Sequence, residues 1–169
     1  TWRVKFGQLF TYAGALGAMG QGIPGAIGAA LATGRRVLCR VGDGGFMLNI
    51  QELEVVKRLK LPIKFFVMDN GGYGAIMNTQ RSYFDARFVG CNQESGLTLP
   101  DIGAVSLAFG LPVWRIESNN QIKHILPKIM ASDRPEVVIV KIPDDFKCEH
   151  RVTSKMVDGV VTSGDFGDV

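Results

Sequence analysis

Arg36-Val37-Leu38-Cys39-Arg40-Val41-Gly42-Asp43-Gly44-Gly45 decides the fold. An apolar run with β-branched residues, halted abruptly by glycines around a single aspartate, reads as a strand that stops at a sharp turn. The next segment is helical. Asn49-Ile50-Gln51-Glu52 opens a periodic segment through Leu53, Val56 and Leu59, with Asn49 placed to cap and Glu52 to reach back as its capping-box partner. Pro62 breaks that period, and a second apolar run, Ile63 to Met68, closes at Asp69-Asn70-Gly71-Gly72.

Outward from this strand, helix, strand unit the alternation continues. Helices are expected at Asp101 to Phe109 and Asn119 to Met130, and strands at Val113 to Ile116 and Val137 to Ile142. Upstream, the small-residue stretch Gly14 to Ala32 reads as a loop entering a closely packed helix, with Pro24 in its first turn and Ala26, Ala29 and Ala30 at helical spacing. Alternation of this kind predicts an α/β fold, a doubly wound and mostly parallel sheet flanked by helices. Ligands of such sheets bind beyond the carboxyl ends of the strands, where both glycine-rich turns fall.

Composition narrows the function classes. The 169 residues are 46% hydrophobic, enough for one domain with a core, and the net charge of +3 comes from scattered basic residues that form no track for a nucleic-acid backbone. Cys39, Cys91 and Cys148 are far apart and make no CxxC pair, which argues against a disulfide framework or zinc site and for a reducing cytoplasm. No stretch has the length of a membrane span, and Thr1-Trp2-Arg3-Val4 is not a signal peptide. The chain reads as a piece of a longer polypeptide, its polar end from Glu149 to Val169 as a surface arm.

The two turns suggest one chemistry. If Asp43 and Asn70 meet at the sheet rim, a carboxylate, an amide oxygen and a neighbouring carbonyl offer hard-oxygen ligands to Mg²⁺. The unshielded amides of Gly44 and Gly45 at a helix start suit a diphosphate. Either turn alone is ordinary turn chemistry; the pair, joined through a helix and a strand, is specific. A dinucleotide site is disfavoured, since Gly42-Asp43-Gly44-Gly45-Phe46-Met47 lacks the third spaced glycine of GxGxxG.

Gly42-Asp43-Gly44 followed by Asp69-Asn70 resembles the thiamine diphosphate motif that begins GDG and ends NN, with Asp69 in place of the first Asn. Gly17 to Ala30 and Gly45 to Leu53 are similar to the corresponding stretches of acetolactate synthases, and the resemblance runs from Thr11 to Val140. It implies a thiamine diphosphate-binding fold, with residues 1–147 as the cofactor domain, 148–169 as a C-terminal tail, and the pyrimidine-binding and middle domains absent from this chain. By the same resemblance Asp43, Asn70 and the Gly72 carbonyl hold Mg²⁺, and the amides of Gly44, Gly45 and Gly74 lie near the diphosphate. The Gly17 carbonyl faces the aminopyrimidine. Met19 supports the bent cofactor between its rings, a task for which a polarizable thioether on a rigid turn is suited, although a buried methionine more often simply packs.

The activity implied is decarboxylation of a 2-keto acid such as pyruvate, with transfer of the resulting carbanion/enamine to an acceptor. A simple 2-keto acid decarboxylase, or its cofactor-binding subunit, is the alternative; a non-catalytic assembly domain is disfavoured because Asp43 and Asn70 are both kept. The activating glutamate is expected from a pyrimidine-binding domain of the same or a second subunit of a homodimer or homotetramer, so no catalytic residue is assigned here, and the chain alone is expected to be inactive. Glu52, Glu54 and Glu94 read as capping or surface residues. His124, beside Lys123 and Lys128, reads as a solvated face, and His150 carries no assigned role. Arg81, Tyr83 and Phe84 read mostly as packing and interface residues. FAD stays open, since the synthases bind it mostly through a domain not present here.

Overall fold

A computed structural model describes residues 3–146, 154–158 and 160–163. Chain contacts divide it into two compact units, Ala13–Asp145 and Thr1–Tyr12 with Phe146–Val169. Cys148 and His150 lie outside the described residues.

The first unit is built on four strands, β1 (Val37–Gly42), β2 (Ile63–Asp69), β3 (Val113–Ile116) and β4 (Glu136–Lys141). All three pairings are parallel, in the order β1-β2-β4-β3. Helix α1 (Gly22–Thr33) precedes β1; α2 (Asp43–Met47) and α3 (Leu53–Arg58) link β1 to β2; α4 (Gly74–Tyr83) and α5 (Ile102–Ala108) link β2 to β3; α6 (Asn119–Met130) returns the chain to β4. The reversal at α6 places helices on both faces, as expected for a doubly wound sheet.

Strand periodicity sorts the side chains into two layers. Ile63, Phe65, Val67, Val137 and Ile139 pack with Ile23, Ala26 and Ile27 of α1, Phe46 of α2, Leu53 and Val56 of α3 and Ile102 of α5. On the other face Val138 and Ile116 pack with Ile129 of α6. Small residues on α1 let it lie close to β1. A Cβ on Gly22 would crowd the Val41 side chain, and the Cys39 Sγ–H donates to the Gly22 carbonyl at 3.3 Å.

Two local expectations give way. A short helix already starts at Asp43, and Asn49 stands at the N-cap position of the 3-10 turn Ile50–Glu52 without a side-chain capping bond; its Nδ2 instead donates to the Gly20 carbonyl at 2.8 Å. The capping-box signature is real in the sequence, but a tertiary partner claimed the amide. In the second unit, part of the expected irregular tail forms an antiparallel hairpin, β5 (Ser154–Val157) with β6 (Val160–Ser163). Among the described residues no helix is long and apolar enough to cross a membrane.

Candidate functional site

β1 and β2 are adjacent and parallel, with Gly42 opposite Met68, so their carboxyl ends deliver Asp43 and Asn70 to one rim. Asp43 is the first residue of α2 and only 1% exposed. Its Oδ1 accepts from the Gly44 N–H at 2.7 Å, and its Oδ2 accepts from the N–H groups of Asn70 (3.2 Å), Gly71 (2.8 Å) and Gly72 (3.0 Å). Four backbone donors therefore converge on one carboxylate from two loops. Burial pushes its pKa up; the hydrogen bonds from Gly44, Gly72 and Gly71 pull it back, and the like charge of Asp69 adds to the rise. The net direction is upward, because burial outweighs the backbone hydrogen bonds.

The third component is the Asn70 amide. One of its terminal atoms lies 2.9 Å from the Gly72 carbonyl oxygen and 3.2 and 3.3 Å from the two Asp43 oxygens. With nitrogen there, the amide donates to acceptors on both residues. With oxygen there, four oxygens meet with no proton among them, and a cation between them is what reconciles the arrangement. Among the described residues no three His, Cys, Asp or Glu side chains gather at metal-binding spacing. A set of one carboxylate, one amide and one backbone carbonyl suits a hard cation and no soft one.

Glycine makes the approach possible. A Cβ on Gly44 would strike the Tyr73 ring, one on Gly72 the Cys91 carbonyl oxygen, and one on Gly74 the Asn70 amide. Tyr73 and Cys91 were not legible as site residues. The Tyr73 N–H donates to the Cys91 carbonyl at 2.9 Å, which draws the loop after α4 back over Gly72. That loop is braced at its base, where Asn92 caps a single turn through Ser95.

The other residues expected at the site divide between the oxygen cluster, the loop beside it and the surface. Gly44 and Gly74 turn their N–H groups to Asp43 Oδ1 and to the Gly72 carbonyl (3.1 Å), inside the oxygen cluster. Gly45 sits one residue along α2. Met19 is not core, being 46% exposed, and its Cε reaches within 3.6 Å of where a Gly44 Cβ would stand. It projects over the turn from the loop that Asn49 ties down through Gly20, whose φ of +87° and contact with Leu48 and Asn49 admit only glycine. Gly17, with φ +54°, ends a 3-10 turn, Gly14–Leu16, in the same loop. His124 is exposed on α6, and Glu54 stands on the surface beside Lys57. Arg81 lies over the Phe88 ring and near Asp144, so it is a packing residue here.

Fold and site together define an α/β module with a cluster of oxygen and amide groups from Asp43, Asn70 and Gly72 at the carboxyl end of a parallel sheet. Residues 1–140 match the family described as thiamine pyrophosphate enzyme, C-terminal TPP binding domain, and the chain belongs to that family. It is 36% identical over 137 residues to the acetolactate synthase isozyme 2 large subunit of Escherichia coli, covering 80% of this chain and 24% of that one. To acetolactate synthase 2, chloroplastic, of Zea mays it is 32% identical over 133 residues, covering 76% of this chain and 21% of the relative. A probable acetolactate synthase large subunit of Methanococcus aeolicus is 35% identical over 127 residues, 75% of this chain and 21% of that protein. The chain thus spans about a quarter or less of the length of these relatives.

Proposed function

We propose that this chain is the cofactor-holding part of an acetolactate synthase-like enzyme that decarboxylates a 2-keto acid such as pyruvate and transfers the remaining carbons to an acceptor. The observation that carries the reading is the Asn70 amide, one terminal atom of which lies 2.9 Å from the Gly72 carbonyl oxygen and 3.2 and 3.3 Å from the two Asp43 oxygens. These residues would hold Mg²⁺, and through it the diphosphate of thiamine diphosphate. When bound, that cofactor supplies a thiazolium carbon that acts as nucleophile and electron sink for the decarboxylation.

The chain's own contribution is placement. Asp43 brings the negative charge, already fixed by four backbone N–H groups, so little has to be ordered when a cation arrives. Gly44, Gly45 and Gly74 line the turns assigned to the diphosphate; the N–H groups of Gly44 and Gly74 serve Asp43 Oδ1 and the Gly72 carbonyl and so shape the oxygen cluster, which leaves the Gly45 amide at the start of α2 as the donor assigned to the diphosphate. Met19 and the Gly17 carbonyl, on the loop anchored by Asn49, are the groups assigned to the cofactor's rings. The glutamate that activates the aminopyrimidine is assigned to a pyrimidine-binding domain of the same or a second subunit, in a cytoplasmic dimer or tetramer. Support for a reducing compartment comes from Cys39 and Cys91, both free and buried, with burial pushing the Cys39 thiol up to about 11.

The test is a calorimetric titration of the full-length protein with thiamine diphosphate, with Mg²⁺ and again with a chelator, followed by product analysis on pyruvate. Saturable binding that the chelator removes is expected, with an acetolactate-type condensation product. Equal binding in chelator would overturn the metal assignment, and release of aldehyde alone would overturn the transferase assignment.

A further inference from the structure

Gln80 of α4 holds the segment that follows the helix through both its backbone and its side chain. Its backbone carbonyl accepts from the N–H groups of Phe84 at 3.0 Å and Ala86 at 3.1 Å. Its side-chain amide grips the main chain of Val89: Nε2 donates to the Val89 carbonyl at 3.3 Å, and Oε1 accepts from the Val89 N–H at 3.0 Å. The same Oε1 accepts from the Cys91 S–H at 3.3 Å. The segment needs such an anchor. Asp85 and Ala86, at its start, have φ of +49° and +57°, a left-handed backbone that residues other than glycine adopt only under constraint. Val89 is 68% exposed, so burial does not hold it. Ser95 accepts from the Cys91 N–H at 3.0 Å and, through its carbonyl, from the Gly90 N–H at 3.0 Å, which fixes the shape of the loop but not its place against α4. Arg81 over the Phe88 ring is a second tie from α4, one that stacking leaves free to slide.

Cys91 carries the hold of Gln80 to the oxygen cluster. It is fully buried, with Sγ toward Gln80 and its carbonyl accepting the Tyr73 N–H at 2.9 Å. That carbonyl oxygen stands against Gly72, where a Cβ would have no room. Gly72 in turn donates its N–H to Asp43 Oδ2 at 3.0 Å, and its carbonyl accepts from the Gly74 N–H at 3.1 Å. With no side chain between them to absorb it, a shift of the Cys91 carbonyl moves the Gly72 backbone directly.

We propose that Gln80 is a positioning residue that, through Cys91, fixes the Gly72 carbonyl for a small divalent cation and so favours Mg²⁺ over Ca²⁺. This rests on the reading of Asp43, Asn70 and Gly72 as the metal site. Mg²⁺ demands near-octahedral oxygens at about 2.1 Å, whereas Ca²⁺ accepts longer and less regular contacts. A carbonyl that is in place for only part of the time therefore weakens Mg²⁺ more than Ca²⁺, since apparent affinity falls with the fraction of molecules in the binding arrangement.

The experiment titrates the full-length protein with Mg²⁺ and, separately, with Ca²⁺ at one fixed concentration of thiamine diphosphate. Gln80→Met keeps the length of the side chain and removes its hydrogen bonds; it is expected to weaken Mg²⁺ binding about tenfold and Ca²⁺ binding about twofold. Gln80→Glu keeps acceptor oxygens for the Val89 N–H and the Cys91 S–H, and its Mg²⁺ affinity is expected to fall between those of Gln80→Met and the parent. Should urea unfolding show that Gln80→Met does not fold, Cys91→Ala, which removes the thiol and keeps the carbonyl, is expected to weaken Mg²⁺ about threefold and Ca²⁺ less. Equal weakening of the two cations overturns the proposal, because a loop that merely loosens the domain treats them alike; so does a Gln80→Glu variant no better than Gln80→Met. Parental affinities in Gln80→Met, with Mg²⁺ lost in Asp43→Asn, overturn the role of Gln80 and leave the metal site standing. Retention of Mg²⁺ by Asp43→Asn overturns the metal reading itself, and the proposal with it.

Discussion

Two carboxylates in this chain are equally buried and sit at opposite edges of the same parallel sheet. Asp43, at the carboxyl edge, and Glu136, at the amino edge, are each 1% exposed. Glu136 is neutralised in place: Lys64, its partner across the β2–β4 ladder, donates to Oε2 at 2.9 Å, and Arg134 donates to Oε1 at 2.6 Å. Lys64 in turn is satisfied by Ser132 Oγ and the Arg134 carbonyl. Burial pushes Glu136 up, but the Lys64 and Arg134 hydrogen bonds and charges outweigh it, and its pKa falls below the ordinary value. Asp43 has backbone N–H donors and, among the described residues, no cation that lowers it, and its pKa rises with burial. The difference separates a carboxylate whose charge is answered by two side-chain cations, a clasp, from one held by backbone N–H groups alone, which is the arrangement the proposed cation site uses.

The contrast breaks most visibly at Asp43. Asp43→Ala is expected to abolish Mg²⁺-dependent binding of thiamine diphosphate while the far-ultraviolet circular dichroism stays that of the parent, because the residue serves the rim and not the core. Unchanged affinity in calorimetry would place the cation elsewhere. At the other edge the same kind of change should cost stability and no binding. Lys64→Met leaves Glu136 buried with half its compensation and is expected to lower unfolding stability in urea by about 3–5 kcal/mol. Pairing it with Glu136→Leu should recover most of that loss, since a matched apolar pair needs no counter-charge.

A smaller effect separates the metal from the cradle around it. In Gly44→Ala the new methyl meets the Tyr73 ring, so the ring must move or the turn must open. The expected cost is about 1–3 kcal/mol, with cofactor affinity reduced more than Mg²⁺ affinity, because Asp43, Asn70 and Gly72 keep their places. Parallel titrations with metal alone and with cofactor would show whether the two losses separate; equal losses would mean that Gly44 shapes the cation site itself.

Much of this contrast was legible in the residues. The strand ends were marked by Gly42-Asp43-Gly44-Gly45 and Asp69-Asn70-Gly71-Gly72, since glycine clusters after apolar runs have few other uses, and adjacency in a parallel sheet then brought Asp43 to Asn70. The rest depended on contacts that sequence spacing does not encode. Asn49 carried a helix-cap pattern yet spends its amide on Gly20, and Cys91 enters the site only because its loop folds back to the Tyr73 N–H. Lys64 and Glu136 each sit inside apolar strands, where a charged residue signals a partner but does not say which. The hairpin in the tail had its own signal, Asp158-Gly159 between valines, outweighed by the polar composition around it.

Acid sharpens the comparison last and most finely, because the two carboxylates should answer it with opposite signs. Glu136 has a folded pKa below its ordinary 4.5, so it stabilises the fold above that pH, and the contribution is lost as pH falls through the lower folded value. Asp43 has a folded pKa above its ordinary 3.8, so the metal-free fold is penalised as pH rises through the raised value and relieved below it. Urea unfolding in chelator across the acid range reads both. Glu136→Gln should flatten the acid loss of stability, since the proton it would take up is no longer needed to break the clasp. Asp43→Asn should steepen it, since the relief that protonation brings at the rim is gone. Added Mg²⁺ should reverse the rim's behaviour in the parent and leave that of Glu136 untouched, because a bound cation holds Asp43 ionised and makes its protonation a loss instead of a gain. Identical acid limbs for the two variants would mean that neither carboxylate differs from its neighbours in solution, and the division of the sheet into a clasped edge and a backbone-held edge would fall.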